Sequence, residues 1–311
     1  MARRRLLIIV FFGMGIGIFC FHAGAYQLAP RPEIAANTAA ASEPVEKDAS
    51  EGIHIVLLAD AKDHGPAGNG LHDYPRWQKR WAVLLGGEEA ATEKAENPAR
   101  AGVAGVRVTT AWKWPSDDQF QTADVIVAYC YLAWNDERLA QVRRYLQAGG
   151  GLVLIHSATW TRPQPSREVA EMLGIGGFRR YRHGPVRLDI AAPDHPICQG
   201  LPEKILLDDD ETYWPPTPMM DRVLVLASAG EPQESAGNAV KTAQPMFWCY
   251  EPGRGRVFGC VPGHRAETFD NPLIRRFLLR GIAWAAGRCV ENGTPQLKAA
   301  AEKLERPLLN P

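Results

Sequence analysis

The segment 137–155, ERLAQVRRYLQAGGGLVLI, indicates the fold more clearly than any other part of the chain. Its first part places Leu139, Val142 and Leu146 on one side of a helix, at spacings of three and four residues. Three consecutive glycines then end the helix, because glycine tolerates the backbone conformation that follows a helix C-terminus. The closing LVLI run is short and wholly apolar, as expected for a strand buried on both faces. This helix–strand unit is typical of an α/β protein.

Similar apolar runs recur on both sides of this unit. They predict eight strands, at 53–58, 106–111, 123–128, 152–155, 186–190, 223–227, 246–250 and 256–261. Amphipathic helices are expected from Pro75, over 137–148, and from Pro272 to Gly287. Strands that alternate with helices imply parallel crossovers. We therefore expect an α/β fold with a doubly wound, mostly parallel sheet and a strand-rich second half.

The N-terminal 25 residues have a separate pattern. Three arginines at 3–5 precede an uncharged apolar run over 6–21 and the small residues Ala23-Gly24-Ala25. This pattern predicts a secretory signal peptide cleaved after Ala25, or else an uncleaved membrane anchor. In either case we expect the body of the protein to be exported, periplasmic or extracellular, or tethered to the membrane by this segment.

Composition sets the remaining domain boundaries. Residues 26–51 are rich in Ala, Pro, Glu and Ser and predict a flexible linker. The folded α/β domain is expected over 52–288, with an Ala/Glu-rich surface insertion at 86–105. Residues 289–311 form a C-terminal tail, with one short peripheral helix expected there.

The charge balance and the cysteines exclude several classes of partner and site. The formal net charge of the 311 residues is zero and no long basic run follows Arg3-Arg4-Arg5, so nucleic-acid binding is not expected. Contact with a membrane is expected only through the N-terminal segment, and the oligomeric state stays open. Leader cleavage would leave five of the six cysteines, an odd number without close metal-ligand spacing. We expect buried, hydrophobic cysteines and no zinc knuckle.

Polar and aromatic residues gather where the predicted strands end. The carboxyl ends of parallel strands meet at one edge of a sheet, which is where ligands bind in this class of fold. Four separate exits carry His, aromatic or hydroxyl residues, which predicts a pocket for a small ligand at this edge. The four exits are 60–74, 129–136, 156–160 and 262–268.

Several of these residues also have a purely structural interpretation. His54 and His195 are expected to be structural, and Trp77 and Trp81, at helical spacing, to lie in the core. His183 fits a solvated loop better than the rim of a pocket. The acidic run 208–211 resembles a solvated turn, although the aromatic residues that follow it would allow one carboxylate to be held in place.

His156 and Ser157 follow the glycine-led strand and precede the small residue Ala158. In hydrolases of this architecture, that tight strand-to-helix turn carries the nucleophile. The glycines of the G-x-S-x-G motif are missing here, so acid–base work or metal ligation suits His156 better than serine hydrolysis does. Ser157 is expected to form a hydrogen bond to the ligand.

Five segments in order resemble the trehalose-utilisation, or ThuA-like, family. They are 63–66 with 72–74, 149–158, 194–197, 210–214, and 263–264 with 269–272, so the resemblance covers most of 52–288. It implies a flavodoxin-like fold of the class I glutamine amidotransferase type. Those amidotransferases carry a catalytic cysteine at the turn where this chain has His156. The resemblance therefore implies handling of a sugar or oxidised sugar without glutaminase activity.

Three functions fit these observations. The first is an enzyme, an isomerase, lyase or hydrolase, that acts on a carbohydrate or keto-sugar by His and carboxylate acid–base chemistry; the others are a non-catalytic carbohydrate-binding module and an inert interaction domain. The catalytic candidates are His156, His264, Glu211 and Asp210. The substrate-binding candidates are His64, His72, Tyr131, Trp134, Ser157, Trp160 and Arg265. A divalent metal is an alternative cofactor, with candidate ligands His64, His72, His156 and His264.

Overall fold

The computed structural model describes residues 52–66, 68–86, 106–232, 240–288 and 290. The strands within them are β1 Ile53–Ala59, β2 Val106–Trp112, β3 Val125–Ala128, β4 Gly151–Ile155, β5 Phe178–Ile190, β6 Lys204–Pro216, β7 Leu224–Pro232, β8 Lys241–Tyr250 and β9 Arg256–Cys260. The α-helices are α1 Tyr74–Gly86, α2 Asp117–Thr122, α3 Asp136–Gln147, α4 Arg167–Leu173 and α5 Pro272–Ala285. Short 3-10 helices span His156–Thr159 and Ala266–Asp270.

These strands form one mixed sheet in the order β2-β1-β3-β4-β9-β8-β7-β5-β6. The first five strands in that order pair in parallel. The remaining four pairings are antiparallel. The prediction of an α/β fold with a strand-rich second half is confirmed, but the prediction of a mostly parallel sheet is wrong.

The connections explain this difference. Helices α1, α2 and α3 separate the first four strands and allow parallel crossovers. No α-helix is described between β5 and β9, and the consecutive strands that pair there, β5 with β6, β7 with β8 and β8 with β9, are antiparallel. The doubly wound arrangement is likewise not confirmed, because it requires crossovers along the whole sheet.

Local sequence determines the parallel half. Every residue of β1, β3 and β4 is buried, as the apolar runs predict. Helix α3 buries the predicted Leu139, Val142 and Leu146, and the Asn135 side chain caps its N-terminus by accepting a hydrogen bond from the amide of Arg138. This packing holds the carboxyl ends of the parallel strands at one edge.

Other structural predictions are confirmed in the described residues. Trp77 and Trp81 are buried in the core, and Cys130, Cys198, Cys249 and Cys260 are buried free thiols. Residues 251–255, which include Pro252, Gly253 and Gly255, join β8 to its antiparallel partner β9. The rings of His54 and His195 serve structural contacts: His54 Nε2 lies 2.8 Å from Oγ1 of Thr109, and His195 Nδ1 accepts the amide of Ile197.

Several predictions fall outside the described residues. The leader at 1–25, the linker at 26–51, the insertion beyond residue 86 and the tail helix after residue 290 all lie there. Among the residues that the structure does describe, no helix is both long and apolar enough to cross a membrane.

Candidate functional site

Three histidines and one glutamate meet at the carboxyl edge of the parallel strands. His72 lies in the loop after β1, His156 directly follows β4, and His264 lies in the loop after β9. Glu211 comes from β6, in the antiparallel half. One ligand atom from each of these four buried residues lies within 4.8 Å of the others. We call these four residues the His–Glu cluster.

The atoms of the His–Glu cluster are in close contact. Nε2 of His72 lies 2.8 Å from Nε2 of His156 and 3.0 Å from Nδ1 of His264. Oε2 of Glu211 lies 3.2 Å from His156 Nε2 and 3.1 Å from His264 Nδ1. The cluster therefore places four atoms that could coordinate a metal ion within one small volume.

Two of these histidines have an unusual backbone. His72 has φ 43° and His156 has φ 51°, whereas only one other described non-glycine residue, Lys113, has a positive φ. Such a conformation costs about 1–3 kcal/mol and persists where the surroundings enforce it, often at functional sites. The backbone at His72 and His156 is therefore locally strained, and this strained conformation directs both side chains into the cluster.

The turn at His156 is the strand-to-helix turn that the sequence predicts. His156 opens the 3-10 helix directly after β4 and is fully buried. Gly263, from the neighbouring loop, passes so close that a Cβ atom there would lie 3.1 Å from Cβ of His156. The close approach of these two loops brings His264 beside His156.

Outer partners fix the ring orientations. Nδ1 of His72 donates to Oδ1 of Asp63 at 2.7 Å, and Nδ1 of His156 donates to the Val261 carbonyl at 2.7 Å. In both neutral rings, Nε2 then carries the lone pair that faces the cluster. The Tyr213 hydroxyl lies 3.0 Å from His156 Nε2.

These contacts also shift the pKa values. Burial lowers the pKa of His72 to about 4, although the hydrogen bond to Asp63 opposes this shift. Burial raises the pKa of Glu211, but hydrogen bonds with His156 and His264 outweigh it and hold that pKa well below its usual range. Asp63 responds similarly: its hydrogen bonds with His72 and His64 overcome burial and lower its pKa to about 2. At neutral pH both carboxylates are therefore ionised.

Asp210 was a catalytic candidate, and the structure gives it a different role. Its fully buried carboxylate accepts hydrogen bonds from the amides of Gly263 and His264 and from the Thr268 hydroxyl. Its Oδ1 also accepts a hydrogen bond from the backbone amide of Glu211, with an N–O distance of 2.6 Å. Asp210 therefore holds the His264 loop against β6, and Glu211 is the carboxylate that reaches the cluster.

The prediction that His183 lies in a solvated loop is wrong. It lies in strand β5, directly opposite Glu211 of β6, and not in a solvated loop. Its ring is 4.7 Å from that of His264, and its Nε2 lies 3.7 Å from Oε1 of Glu211. The side chain is 53% exposed, so His183 connects the buried cluster with solvent.

Aromatic side chains and His64 surround the cluster. His64 is exposed, and its ring lies 4.2 Å from that of His72. Tyr131 is half-buried, with its ring 6.0 Å from His72. Trp160 is half-buried too, between Tyr213 at 4.9 Å and Tyr181 at 6.0 Å, and Tyr181 is largely exposed. Tyr181 was not predicted, because its strand lacks an apolar pattern.

Three predicted ligand-binding residues have other contacts. Trp134 packs 6.1 Å from the ring of Trp114, beside α3. Arg265 forms an ion pair with Asp209 and lines a separate groove. Ser157 is fully buried, and its hydroxyl forms a 2.7 Å hydrogen bond with the Tyr74 hydroxyl. The structure therefore gives these side chains roles in packing, surface pairing and internal hydrogen bonding.

The arrangement has the donors for a metal ion. The predicted ligand set was His64, His72, His156 and His264, but the buried set contains Glu211 in place of His64. His64 belongs to a second, more exposed group with Asp63 and His72. Imidazole and carboxylate together suit divalent first-row transition metals.

Comparison with known proteins identifies the family. The model described as trehalose utilisation, ThuA, matches residues 69–285, which is more than half of the chain. The chain belongs to the ThuA family. The matched ThuA region contains every residue of the His–Glu cluster. A search of the curated proteins found no match.

Solved structures support the fold of this ThuA-family chain. A protein described as ThuA-like from Bacteroides uniformis ATCC 8492 has a TM-score of 0.54 at 16% identity, covering 79% of this chain and 95% of its own. Another, from Parabacteroides merdae ATCC 43184, has a TM-score of 0.50 at 21% identity, covering 76% and 91%. The class I glutamine amidotransferase-like fold is compatible with these similarities.

Proposed function

We propose that this ThuA-family protein binds a carbohydrate derivative bearing a ketone and catalyses proton transfer at the carbon beside that ketone. One observation carries the proposal: three buried imidazoles and a carboxylate meet beneath the exposed His183. The family's description as trehalose utilisation supports a role related to carbohydrates.

His183 is the proposed proton carrier. A neutral imidazole can take a proton from the carbon beside a ketone, while the electron pair moves onto the carbonyl oxygen and forms an enolate. Oε1 of Glu211, 3.7 Å away, would stabilise the imidazolium that results. Return of the proton to the former carbonyl carbon, with a proton passing from the adjacent hydroxyl to the former carbonyl oxygen, completes an isomerisation. Departure of a β-substituent with its bonding electron pair, as the carbonyl re-forms, completes an elimination.

Aromatic side chains are suited to the sugar ring. Tyr131, Trp160 and Tyr181 each combine an apolar ring with a polar group, which matches the mixed surface of a carbohydrate. Trp160 and Tyr181 lie close to each other on the side of Tyr213, and Tyr131 lies on the side of His72. The two groups would hold a sugar over the His–Glu cluster.

Glutamine hydrolysis is not part of the proposed activity. His156 occupies the turn where the related amidotransferases carry their cysteine, so a thioester cannot form there. Burial raises the pKa of the Cys130 thiol to about 12 and the pKa of Cys260 well above its usual value, which keeps both thiols protonated.

We further propose that the protein is exported. The basic residues, apolar run and small-residue site of 1–25 support this proposal. N-terminal sequencing of the protein purified from its native host is the test. A chain starting at Tyr26 would establish cleavage, and a membrane-bound chain starting at residue 1 or 2 would establish an anchor.

The catalytic proposal is tested by hydrogen exchange. The full chain is incubated in deuterated water with 3-keto forms of mono- and disaccharides, and deuterium incorporation beside the ketone is followed by NMR. We expect exchange with the wild type, a large loss in H183Q, and no change in H195Q, whose histidine lies in a turn outside the cluster. Equal exchange rates in wild type and H183Q would contradict the role of His183.

The alternative function is a non-catalytic carbohydrate-binding domain. Its supporting observation is the burial of the cluster, since His156 is fully buried and His72 nearly so. Thermal-shift measurements with the same sugars separate the two functions, because a ligand that binds the folded state raises the melting temperature. A shift without exchange favours the binding domain, and exchange favours the enzyme.

A further inference from the structure

We propose that His72, His156, His264 and Glu211 together bind one divalent first-row transition-metal ion. Binding of the ion is independent of any sugar, whereas its catalytic consequence rests on the proposed function. The inference comes from the direction of the lone pairs in the cluster, the distances between its donor atoms and the outer partners of its rings.

The lone pairs are fixed by hydrogen bonds outside the cluster. A backbone carbonyl can only accept, so Nδ1 of His156 carries the proton in its 2.7 Å contact with Val261. The Asp63 carboxylate has the same effect on Nδ1 of His72. Each neutral ring therefore directs the lone pair of Nε2 inward, where the two Nε2 atoms are 2.8 Å apart. Two lone pairs at this distance repel each other unless a proton or cation lies between them.

The available protons do not satisfy all the acceptors. The Tyr213 hydroxyl can donate to His156 or to Glu211, with distances of 3.0 and 3.2 Å. Nδ1 of His264, if protonated, can donate to Glu211 or to His72. With both rings neutral, two protons then serve three inward acceptors, and no arrangement satisfies them all with separate donors. Buried polar atoms normally have partners, and a cation provides one for every inward lone pair.

The distances fit an ion after a small expansion. Zinc binds imidazole nitrogen at about 2.0–2.1 Å, which places tetrahedral donor atoms about 3.3–3.4 Å apart. The four close contacts in the cluster measure 2.8, 3.0, 3.1 and 3.2 Å. The other two donor pairs lie within 4.8 Å, so small shifts of the side chains would bring all four donors to bonding distance.

The outer contacts match those of metal-binding histidines. Such a histidine donates its other ring N–H to a carboxylate or a backbone carbonyl, which orients the ring and increases its basicity. His72 has a carboxylate partner and His156 a carbonyl partner. In the alternative group, Asp63, His64 and His72, the Asp63 contact already uses the outer nitrogen of His72. The buried His–Glu cluster is therefore the better metal site, and Asp63 is its outer partner.

The ion would change the chemistry of the site in a defined way. A bound divalent cation polarises the oxygen of a nearby carbonyl and so makes the adjacent C–H more acidic. Oε2 of Glu211 faces the cluster, while Oε1 faces His183, so His183 stays available to carry the proton. The metal ligands and the proton carrier are thus different residues, which the experiments can separate.

Metal binding is tested without any sugar. The full chain is stripped with a chelator, titrated with Zn²⁺ by calorimetry, and titrated with Co²⁺ while the visible d–d absorption is recorded. We expect saturation at one ion per chain and Co²⁺ bands characteristic of nitrogen and oxygen ligands. A wild-type chain that shows no saturable uptake of either ion would overturn the proposal, whatever the variants do.

Variants assign the site. E211Q replaces the charged carboxylate ligand with a neutral amide, and H264Q removes an imidazole ligand. We therefore expect their affinity for the ion to fall by more than the about 10–100-fold typical of a change in an outer partner. H195Q is the matched control and should bind as the wild type does, since His195 lies outside the cluster. Wild-type affinity in both E211Q and H264Q, with folding verified by circular dichroism, would place the ion elsewhere and overturn the assignment.

The two proposals fail in different ways. A wild-type chain that takes up neither ion but still exchanges the proton beside a ketone retains the proposed function and refutes the metal site. A chain that binds one ion but neither binds nor exchanges any keto-sugar does the reverse.

Discussion

Oδ1 of Asp63 accepts a hydrogen bond from Nδ1 of His72 at 2.7 Å, while Nε2 of the same ring faces His156 at 2.8 Å. The Asp63 side chain is partly exposed, whereas that of His72 is almost fully buried. A carboxylate at the surface thus fixes the tautomer of an imidazole in the interior. The connection makes Asp63 a positioning residue for the cluster.

The substitution D63N tests this connection. Asparagine keeps one oxygen that can accept from His72 but removes the negative charge that makes the ring a better ligand. We expect Zn²⁺ affinity to fall about 10–100-fold, as for other outer partners, with stoichiometry still one ion per chain. D60N is the control, because the Asp60 side chain bonds only to the neighbouring amide of Ala61 among the contacts described. Equal affinity in D63N and D60N, measured by calorimetry, would remove Asp63 from the site.

Asp210 provides a second prediction, on stability. Its buried carboxylate accepts two amides of the loop after β9, and an asparagine would turn an NH₂ group toward some of these donors. We expect D210N to lower the free energy of unfolding by about 1–3 kcal/mol in urea titrations.

The neighbouring acidic residue gives the matched control. The Asp209 side chain is 41% exposed and forms a surface ion pair with Arg265, so D209N should cost no more than about 1 kcal/mol. If both variants lost the same stability, the special role of Asp210 in holding the loop would be wrong.

The parallel half of the fold could be predicted because its signals are local. The LVLI run of β4 and the IHIVLL run of β1 are buried wherever they lie in an α/β sheet, and helix α3 shows its buried face in its spacing. The same local signals predict that His72, His156 and His264 lie at one edge of the sheet, because each follows a parallel strand.

The antiparallel half could not be predicted in this way. Strand β5 includes the polar run RRYRH over 179–183, and its strand conformation depends on pairing with β6. The acidic run 208–211 has the composition of a turn, yet it continues β6, and Glu211 faces the cluster only because it pairs opposite His183. Pairing between residues that are distant in the chain leaves no local sequence pattern.

Trp160 and Trp134 test the carbohydrate proposal as a pair. Both are half-buried tryptophans near strand exits, but Trp160 lies beside Tyr213 and Tyr181, and Trp134 packs on Trp114. We expect W160A to weaken keto-sugar binding about tenfold, which corresponds to about 1.4 kcal/mol. W134A should retain wild-type affinity in the same calorimetric titration, even if it lowers the melting temperature. If only W134A lost affinity, the sugar would bind beside Trp134 and not beside Trp160.

Gly263 links backbone geometry to the cluster. Its φ of 142° lies in a region that other residues rarely adopt, and a Cβ atom would lie 3.1 Å from Cβ of His156 and 3.2 Å from the Phe269 ring. We expect G263A to lose about 1–3 kcal/mol of unfolding free energy from backbone strain. It should also displace His156 and so weaken metal binding.

G200A separates strain from displacement. Gly200 also has a positive φ, 66°, but a Cβ atom there would meet nothing within 4 Å. Alanine at Gly200 should cost about 1–2 kcal/mol, the ordinary penalty of the left-handed conformation, and leave Zn²⁺ affinity unchanged. Both variants are measured by urea unfolding and by Zn²⁺ calorimetry. If G263A bound the ion as G200A does, the position of His156 would not depend on the close approach of the Gly263 loop.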